Sequence, residues 1–191
     1  GGLTAGDYTF VQAPGNATAL SITARPLVVS AVDQTRVYGD ANPATIPVTA
    51  DNLVNGDTIG SASITSAATI GSGVGNYALT PASANFATGL ASNYAITYTP
   101  GTLAITPRPL MVTPADQTRY YGDANPLFGA VVADNLANGD TLGASTLSSI
   151  ATVQSDVGSY ALMSGPAAFT QGSAGNYTIS YAPGTLAVTP R

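Results

Sequence analysis

A long internal repeat constrains this chain more than any other feature of its sequence. Shifting the 191-residue sequence by 83 positions aligns residues 25–107 with residues 108–190 without a gap, and about 48 of the 83 aligned positions are identical. The longest shared segments include Tyr38–Pro43, which recurs as Tyr121–Pro126. This period exceeds the usual solenoid units of about 20 to 50 residues. Each repeat is therefore predicted to be a small domain with a core of its own.

The repeat divides the chain into three predicted segments. Residues 1–24 match the end of a repeat in looser form and are predicted to be the C-terminal hairpin of a preceding repeat. Residues 25–107 form the first complete repeat and residues 108–191 the second. Excision from a longer array would produce this arrangement, so the natural protein is expected to be larger. Prolines 107 and 109 restrict the backbone at the boundary, which favours a stiff joint and an elongated rod.

Composition favours β structure in both repeats. Glu and Lys, two good helix formers, are absent, and only 8% of residues are charged, against roughly 25% in an average domain. Thr, Val, Tyr, Gly, Asn and Asp are abundant and suit strands and turns. The predicted fold is all-β or β-rich, with two tandem small β domains forming an elongated rod. The alternative is a β-grasp-like domain with one short helix per repeat, placed within residues 57–70.

Alternating apolar residues predict individual strands. Leu27 and Val29 share one face of an opening strand, and Tyr94–Tyr98 alternates in the same way near the end of the repeat. Pro100 and Gly101 then predict a turn into Leu103–Ile105, so the repeat is predicted to end in a β-hairpin. The pattern leaves open whether the sheets are antiparallel throughout or contain a parallel pair.

The residue types argue against catalysis. Without His, Cys, Lys or Glu, the chain has no thiol nucleophile, no side-chain base near neutral pKa and no Ser-His arrangement. Copying an active site into every repeat would also be unexpected. The prediction is a protein that is not an enzyme, with no catalytic residue, no metal ligand and no cofactor. The lack of Lys and Cys also excludes Lys–Asn isopeptide bonds and disulfides as cross-links.

Repeated aspartates are the one set of side chains that could bind a cation. They are Asp33, Asp40, Asp51 and Asp57 in the first repeat and Asp116, Asp123, Asp134 and Asp140 in the second. Ca²⁺ takes carboxylate and carbonyl oxygens, but the spacing fits no known calcium loop. The favoured interpretation is that these side chains hydrogen-bond their own turns. Arg36 and Arg119 are predicted to form at most weak surface pairs with nearby aspartates.

Ten tyrosines offer a second kind of candidate site. Exposed tyrosines could stack on sugar rings, but Tyr94 and Tyr98 share a strand face with Ile96, which favours packing in the core. Tyr38 and Tyr120, beside turn glycines, are left open. The binding residues are thus unknown.

The net charge and apolar runs restrict the partners. A net charge of −5 without a basic cluster argues against nucleic acid and anionic membranes. No apolar run is long enough for insertion into a membrane. The expected partners are neighbouring repeats of the same chain, with extracellular polysaccharide or host or bacterial surface glycans as further candidates.

Four landmarks recur in order in both repeats. In the first repeat they are Tyr38–Pro43, Leu53–Thr58, Gly75–Tyr77 and the closing segment 93–106. This pattern resembles the MBG-type (YGX or YDG-like) repeats of bacterial surface and exported proteins, including filamentous-haemagglutinin-like adhesins. The resemblance covers nearly the whole chain. It implies a secreted or cell-surface setting and a role in attachment, aggregation or biofilm matrix, and it brings no defined set of functional residues.

The function predicted from these observations is that of structural stalk or spacer repeats in a large extracellular bacterial adhesin. Two alternatives remain open at this point, a module that binds glycan or protein directly and an extender domain stabilised by calcium. Because few charges protect the sheet edges, pairing of exposed strands between chains is a separate expectation.

Overall fold

The computed structural model describes residues 21–191, and the regular structure of this part of the chain is almost entirely β. Its only helical segments are two short 3-10 turns, Ala91–Asn93 and Ala174–Asn176. The prediction of a β-rich fold is confirmed. None of the described helical segments has the length and apolarity needed to cross a membrane. The hairpin predicted within residues 1–24 falls largely outside the described residues.

Seven strands form the first repeat and ten form the second. The first seven are β1 (Arg25–Ala31), β2 (Gln34–Val37), β3 (Val48–Ala50), β4 (Thr58–Thr65), β5 (Gly75–Thr88), β6 (Tyr94–Thr99) and β7 (Gly101–Thr106). The second set is β8 (Arg108–Pro114), β9 (Gln117–Tyr120), β10 (Phe128–Gly129), β11 (Val131–Ala133), β12 (Thr141–Leu142), β13 (Ser145–Ser149), β14 (Gly158–Ser164), β15 (Phe169–Gln171), β16 (Tyr177–Tyr181) and β17 (Gly184–Thr189). Three changes account for the larger number: β12 and β13 replace the continuous β4, β14 and β15 replace the continuous β5, and β10 has no counterpart in the first repeat. Pro166 falls between β14 and β15.

Each repeat contains two mixed sheets. In the first repeat, sheet 1A has the order β3-β1-β6 and sheet 1B the order β2-β7-β5-β4. Sheet 2A (β11-β8-β16) and sheet 2B (β10-β13-β14-β17-β9) repeat this layout, with β12 and β15 as a further pair. One parallel pair lies in each of these four larger sheets: β1 with β6, β2 with β7, β8 with β16 and β9 with β17. The sheets are therefore not antiparallel throughout.

The predicted hairpin between β6 and β7 is wrong. Strand β6 pairs in parallel with β1, whereas β7 lies in the other sheet between β2 and β5. The chain crosses between sheets at Pro100 beside a second crossing that follows Ala31. A Cβ on Gly101 would lie 2.4 Å from the Ala31 carbonyl oxygen, and the Thr102 N–H donates to Asp33 Oδ1 at 2.7 Å. Alternation predicted the strands correctly but carries no information about their partners.

The short helix considered for residues 57–70 is also wrong. Thr58–Thr65 is strand β4, which pairs antiparallel with β5 through several register shifts. Its β-branched residues Ile59 and Ile64 pack against the core clusters, so the long partner strand decides the conformation. The β-grasp alternative was correct about a parallel pair and incorrect about the helix.

The largest core cluster crosses the boundary between the repeats. Its buried members from the first repeat are Ala31, Tyr38, Ala68, Leu79, Leu103 and Ile105, and those from the second are Leu110, Val112 and Tyr177. A smaller cluster around Leu27 and Val29 belongs to the first repeat, and one around Leu162 and Leu186 belongs to the second. Each repeat thus has a buried cluster of its own, as predicted, but the largest cluster is shared, because sheets 1B and 2A bury apolar residues against each other.

Candidate functional site at the repeat junction

The junction between the repeats is built around a tight turn of the first repeat. In this Tyr-Gly-Asp turn (Val37–Asp40), the Asp40 N–H donates to the Val37 carbonyl at 3.1 Å, and Gly39 has a φ of +84° that glycine adopts readily. The Tyr38 N–H donates to the Thr106 carbonyl at 2.9 Å. This bond fixes the turn at the end of β7, two residues before the second repeat begins.

Tyr38 projects from this turn into the second repeat. Its side chain is only 3% exposed, and its ring meets the Tyr177 ring edge-on, with centroids 5.5 Å apart and an interplanar angle of 79°. The Tyr38 hydroxyl donates to Asp140 Oδ2 at 3.1 Å, and the Tyr177 hydroxyl donates to the same oxygen at 2.7 Å. One buried carboxylate therefore joins tyrosines from two different repeats. Because both bonds go to a charged acceptor, they belong to the stronger class of hydrogen bonds.

The residues that receive Tyr38 form a recess, called the second socket below. Its members are Arg108, Ala137, Asp140 and Tyr177. Phe169 stacks on the Tyr177 ring at a centroid distance of 5.4 Å, and the Ala137 N–H donates to the Tyr177 hydroxyl at 3.1 Å. A Cβ placed on Gly39 would lie 2.4 Å from the Ala137 Cβ. The glycine of the turn is therefore required by close approach as well as by its φ.

Arg108 fixes the outer side of the same turn. Its Nε donates to the Tyr38 carbonyl at 2.6 Å, its Nη1 donates to Asn135 Oδ1 at 2.9 Å, and its Nη2 forms an ion pair with Asp40. The planar guanidinium thus contacts both the backbone and the carboxylate of the turn. Asp40 therefore pairs with the first residue of the second repeat and not with Arg36 of its own repeat.

Two further hydrogen bonds link the loops beside the junction. Asn138 Nδ2 donates to the Ile70 carbonyl at 3.3 Å, and the Val74 N–H donates to Asn176 Oδ1 at 3.0 Å. Asn138 belongs to the repeated Asn-Gly turn, where both residues have positive φ. The turn residues of the second repeat therefore also serve as contacts to the first.

Arg36 and Arg119 are buried and form no ion pair with any described residue, so the predicted surface pairs with aspartate are wrong. Arg36 is 7% exposed; its Nε donates to Asn42 Oδ1 at 2.8 Å and its Nη2 to the Thr69 carbonyl at 2.6 Å. Arg119 makes the corresponding bonds to Asn125 and Thr152. Neutral oxygens satisfy the guanidinium in both repeats, which ties the segment after β2 to the loop after β4.

The repeated aspartates form long-range bonds rather than bonds to their own turns. Asp33 Oδ1 accepts from the Thr102 N–H, and Asp51 Oδ1 accepts from the Val28 N–H at 2.9 Å. Asp116 and Asp134 do the same in the second repeat. Across residues 21–191, no three acidic side chains come together in a group that could hold a metal ion. The aspartates thus connect segments that are distant in sequence.

The tyrosines divide between core and surface. Tyr94 and Tyr177 are each 6% exposed, as expected for core residues, while Tyr98 at the end of the same strand face is 36% exposed. Of the two positions left open, Tyr38 is buried in the junction and Tyr120 is 58% exposed. Sequence reasoning left the role of Tyr38 open and missed its partner Asp140. The signal that could have indicated a contact was the identical recurrence of both motifs in every repeat.

Burial and the hydrogen bond to Asp140 raise the pKa of Tyr177 to about 12, from 10.0 for a free tyrosine. Because folding favours the protonated hydroxyl, its stabilising effect is complete below pH 10 and is lost as the pH rises from 10 through about 12. Thermal melting of the wild-type chain should therefore fall steeply across this range, and Tyr177→Phe should flatten the fall. The exposed control Tyr120→Phe should keep the wild-type slope; equal slopes for wild type and Tyr177→Phe would contradict the assignment.

Comparison with known families identifies the repeats. A family model described as MBG domain (YGX type) matches the chain twice, over residues 27–104 and residues 110–187. Each match falls within one repeat, and together they cover most of the chain, so the predicted tandem arrangement is confirmed. A search of curated proteins found no match. The chain therefore belongs to the family of MBG domains of the YGX type and carries two of them in tandem.

Proposed function

We propose that these repeats are structural spacers of a large extracellular bacterial adhesin, in which they support attachment, aggregation or biofilm matrix. The observation that supports a spacer is the core shared by sheets 1B and 2A, since a repeat that buries its neighbour's residues resists bending at the joint. The connection between β7 and β8 is the single residue Pro107, which leaves little freedom to hinge.

The charged and polar contacts of the junction fix the orientation of the two repeats relative to each other, in addition to the apolar contact. Arg108 bonds the backbone and carboxylate of the Tyr-Gly-Asp turn, while Asp140 accepts hydrogen bonds from both repeats. Directional bonds of this kind specify one relative orientation more strictly than apolar burial does. The proposed working partners of each domain are therefore its neighbours in the chain, and the proposal includes no catalytic role and no cofactor.

Small-angle scattering of the two-repeat chain, in dilute solution, tests the spacer role. The wild-type chain should scatter as one stiff elongated particle, and Tyr38→Ala should scatter as a more flexible one because it empties the second socket. Tyr121→Ala is the matched control, since Tyr121 occupies the same place in the second repeat and is 45% exposed. A wild-type profile that already shows two freely hinged domains would contradict the proposal.

The extracellular setting requires a separate test in the bacterium that makes the protein. An antibody raised against the two-repeat chain should label intact cells or the culture medium. Labelling that appears only after the cells are permeabilised would contradict the proposed surface or secreted location. That result would not bear on the proposed stiffness of the junction.

A further inference from the structure

The first and last segments of each repeat run side by side in the same direction. In the first repeat, β1 pairs in parallel with β6 and β2 with β7, so that Arg25 faces Tyr94 at one end and Val37 faces Thr106 at the other. The partners stand 69 positions apart in every one of these pairs, and β8 with β16 and β9 with β17 keep the same spacing. Parallel strands need a long connection between them, and here the connection is most of the repeat.

These strands form one continuous pair of segments in each repeat. The paired segments, as they are called below, are residues 25–37 with 94–106 in the first repeat and residues 108–120 with 177–189 in the second. Each pair passes from one sheet into the other without a change of register.

An aspartate holds the paired segments together where they change sheet. Asp33 Oδ1 accepts from the Thr102 N–H at 2.7 Å, and Asp116 Oδ1 accepts from the Thr185 N–H at 2.8 Å in the second repeat. These partners also stand 69 positions apart. The aspartates therefore keep the register at the crossing between the sheets.

A side-chain hydroxyl adds a bond across every parallel pair. In all four pairs, a threonine or serine donates to the backbone carbonyl 70 positions earlier, at 3.2 to 3.3 Å: Thr97 to Leu27, Thr106 to Arg36, Ser180 to Leu110 and Thr189 to Arg119. The N–H groups of Tyr38 and Tyr121 donate to the carbonyls of Thr106 and Thr189 at 2.9 Å and lengthen two of the ladders by one residue. The paired segments are thus joined by more bonds than the strand pairing alone provides.

The chain enters and leaves each repeat at opposite ends of the paired segments. It enters the first repeat at the start of β1, which lies beside the start of β6, and it leaves at the end of β7, which lies beside the end of β2. Tension along the chain therefore pulls the two segments past each other in opposite directions. In this shear geometry many hydrogen bonds resist the force together, whereas pulling two neighbouring strand ends apart breaks the bonds one after another.

We propose that each repeat is a force-bearing unit, in which the paired segments resist tension transmitted along the chain. Resistance of this kind is set by the rate of forced unfolding and not by the free energy of unfolding. The proposal goes beyond the spacer role, because stiffness against bending resides in the junction between the repeats, whereas resistance to tension resides within each repeat.

Single-molecule force spectroscopy in two pulling arrangements tests the proposal. The chain contains no cysteine, so introduced cysteines provide unique attachment points. Attachment through Ala24→Cys and Pro190→Cys, both at exposed positions, pulls both repeats along their paired segments. Attachment through Tyr120→Cys and Pro190→Cys pulls apart two neighbouring strand ends of the second repeat, because Tyr120 pairs with Thr189. The single unfolding event of the second arrangement should occur at a several-fold lower force than either event of the first.

Removing the hydroxyl bonds of one repeat provides a second readout. The double substitution Thr97→Val and Thr106→Val weakens the paired segments of the first repeat alone. In the first pulling arrangement, one of the two unfolding events should then shift to lower force, and the other should keep the force of the unsubstituted chain. The matched control is Thr58→Val with Thr88→Val, whose hydroxyls bond each other at 2.9 Å between β4 and β5, outside the paired segments. Both events should keep their force in this control.

Equal unfolding forces in the two pulling arrangements would overturn the proposal. A loss of force in the control as large as that in the Thr97→Val and Thr106→Val variant would also overturn it. If the latter variant fails to fold, as judged by circular dichroism, the two arrangements still decide, because they leave the hydroxyl bonds of the paired segments in place. Neither result bears on the stiffness of the junction, which the scattering experiment measures separately.

Discussion

Tyr38→Ala is expected to lower the free energy of unfolding by about 3 to 5 kcal/mol, the range typical for removing a large buried aromatic side chain. Tyr38 is 3% exposed, and its removal leaves a cavity beside Tyr177 and takes one of two tyrosine donors from Asp140. The loss arises in the contact between the repeats rather than within the first repeat. Chemical denaturation followed by circular dichroism would measure it.

The control for this prediction is Tyr121→Ala. Tyr121 stands in an identical turn but is 45% exposed, so its removal should cost about 0.5 kcal/mol or less, as is usual for surface substitutions. Equal losses for the two variants would mean that the tyrosine stabilises its own turn and not the junction. The denaturation should be measured at protein concentrations where the chain is monomeric, so that contacts between copies do not contribute to the free energy of unfolding.

Gly39→Ala is expected to destabilise the chain more than Gly122→Ala does. Both glycines have a positive φ, +84° and +88°, so each substitution carries a similar backbone cost of about 1 to 2 kcal/mol. Only at Gly39 does the added Cβ also meet another repeat, at 2.4 Å from the Ala137 Cβ; at Gly122 the nearest atom is Arg191 Nη1 at 3.8 Å. The difference between the two losses, obtained from urea denaturation, measures the packing of the junction alone.

A double-mutant cycle gives this prediction a stricter form. Ala137→Gly removes the methyl group that Gly39→Ala would strike, so the double variant should recover most of the additional loss. Strictly additive losses would show that the two positions do not interact, contrary to the close approach of Gly39 and Ala137.

Local patterns in the sequence predicted the strands well and their partners poorly. Leu27 and Val29 alternate with outward residues and are buried, because burial on one face follows directly from the two-residue period of a strand. The pairing of β6 and β7 depends on which sheet each strand enters. Gly101 and Asp33 hold the two crossings between the sheets side by side. No local pattern in the sequence encodes this contact between distant segments.

The junction was harder to predict for a different reason. Tyr38, Gly39 and Asp40 satisfy every requirement of a turn within their own repeat, so their local role was sufficient to explain them. Their contact with Asp140 lies 102 positions along the chain, which is longer than the period itself. A self-comparison detects that both motifs recur, but it cannot say that the motif of one repeat meets the motif of the next.

The shared core has a consequence for how arrays of these domains change in length. Both repeats of this chain carry the residues of the projecting turn and most of those of the receiving socket, so copies that keep these few residues can follow one another. Recombination between repeated stretches of DNA, which adds or removes whole periods, therefore joins compatible surfaces each time. Each added copy contributes one more contact of the same kind, and the number of repeats can vary without any change in the design of the joint.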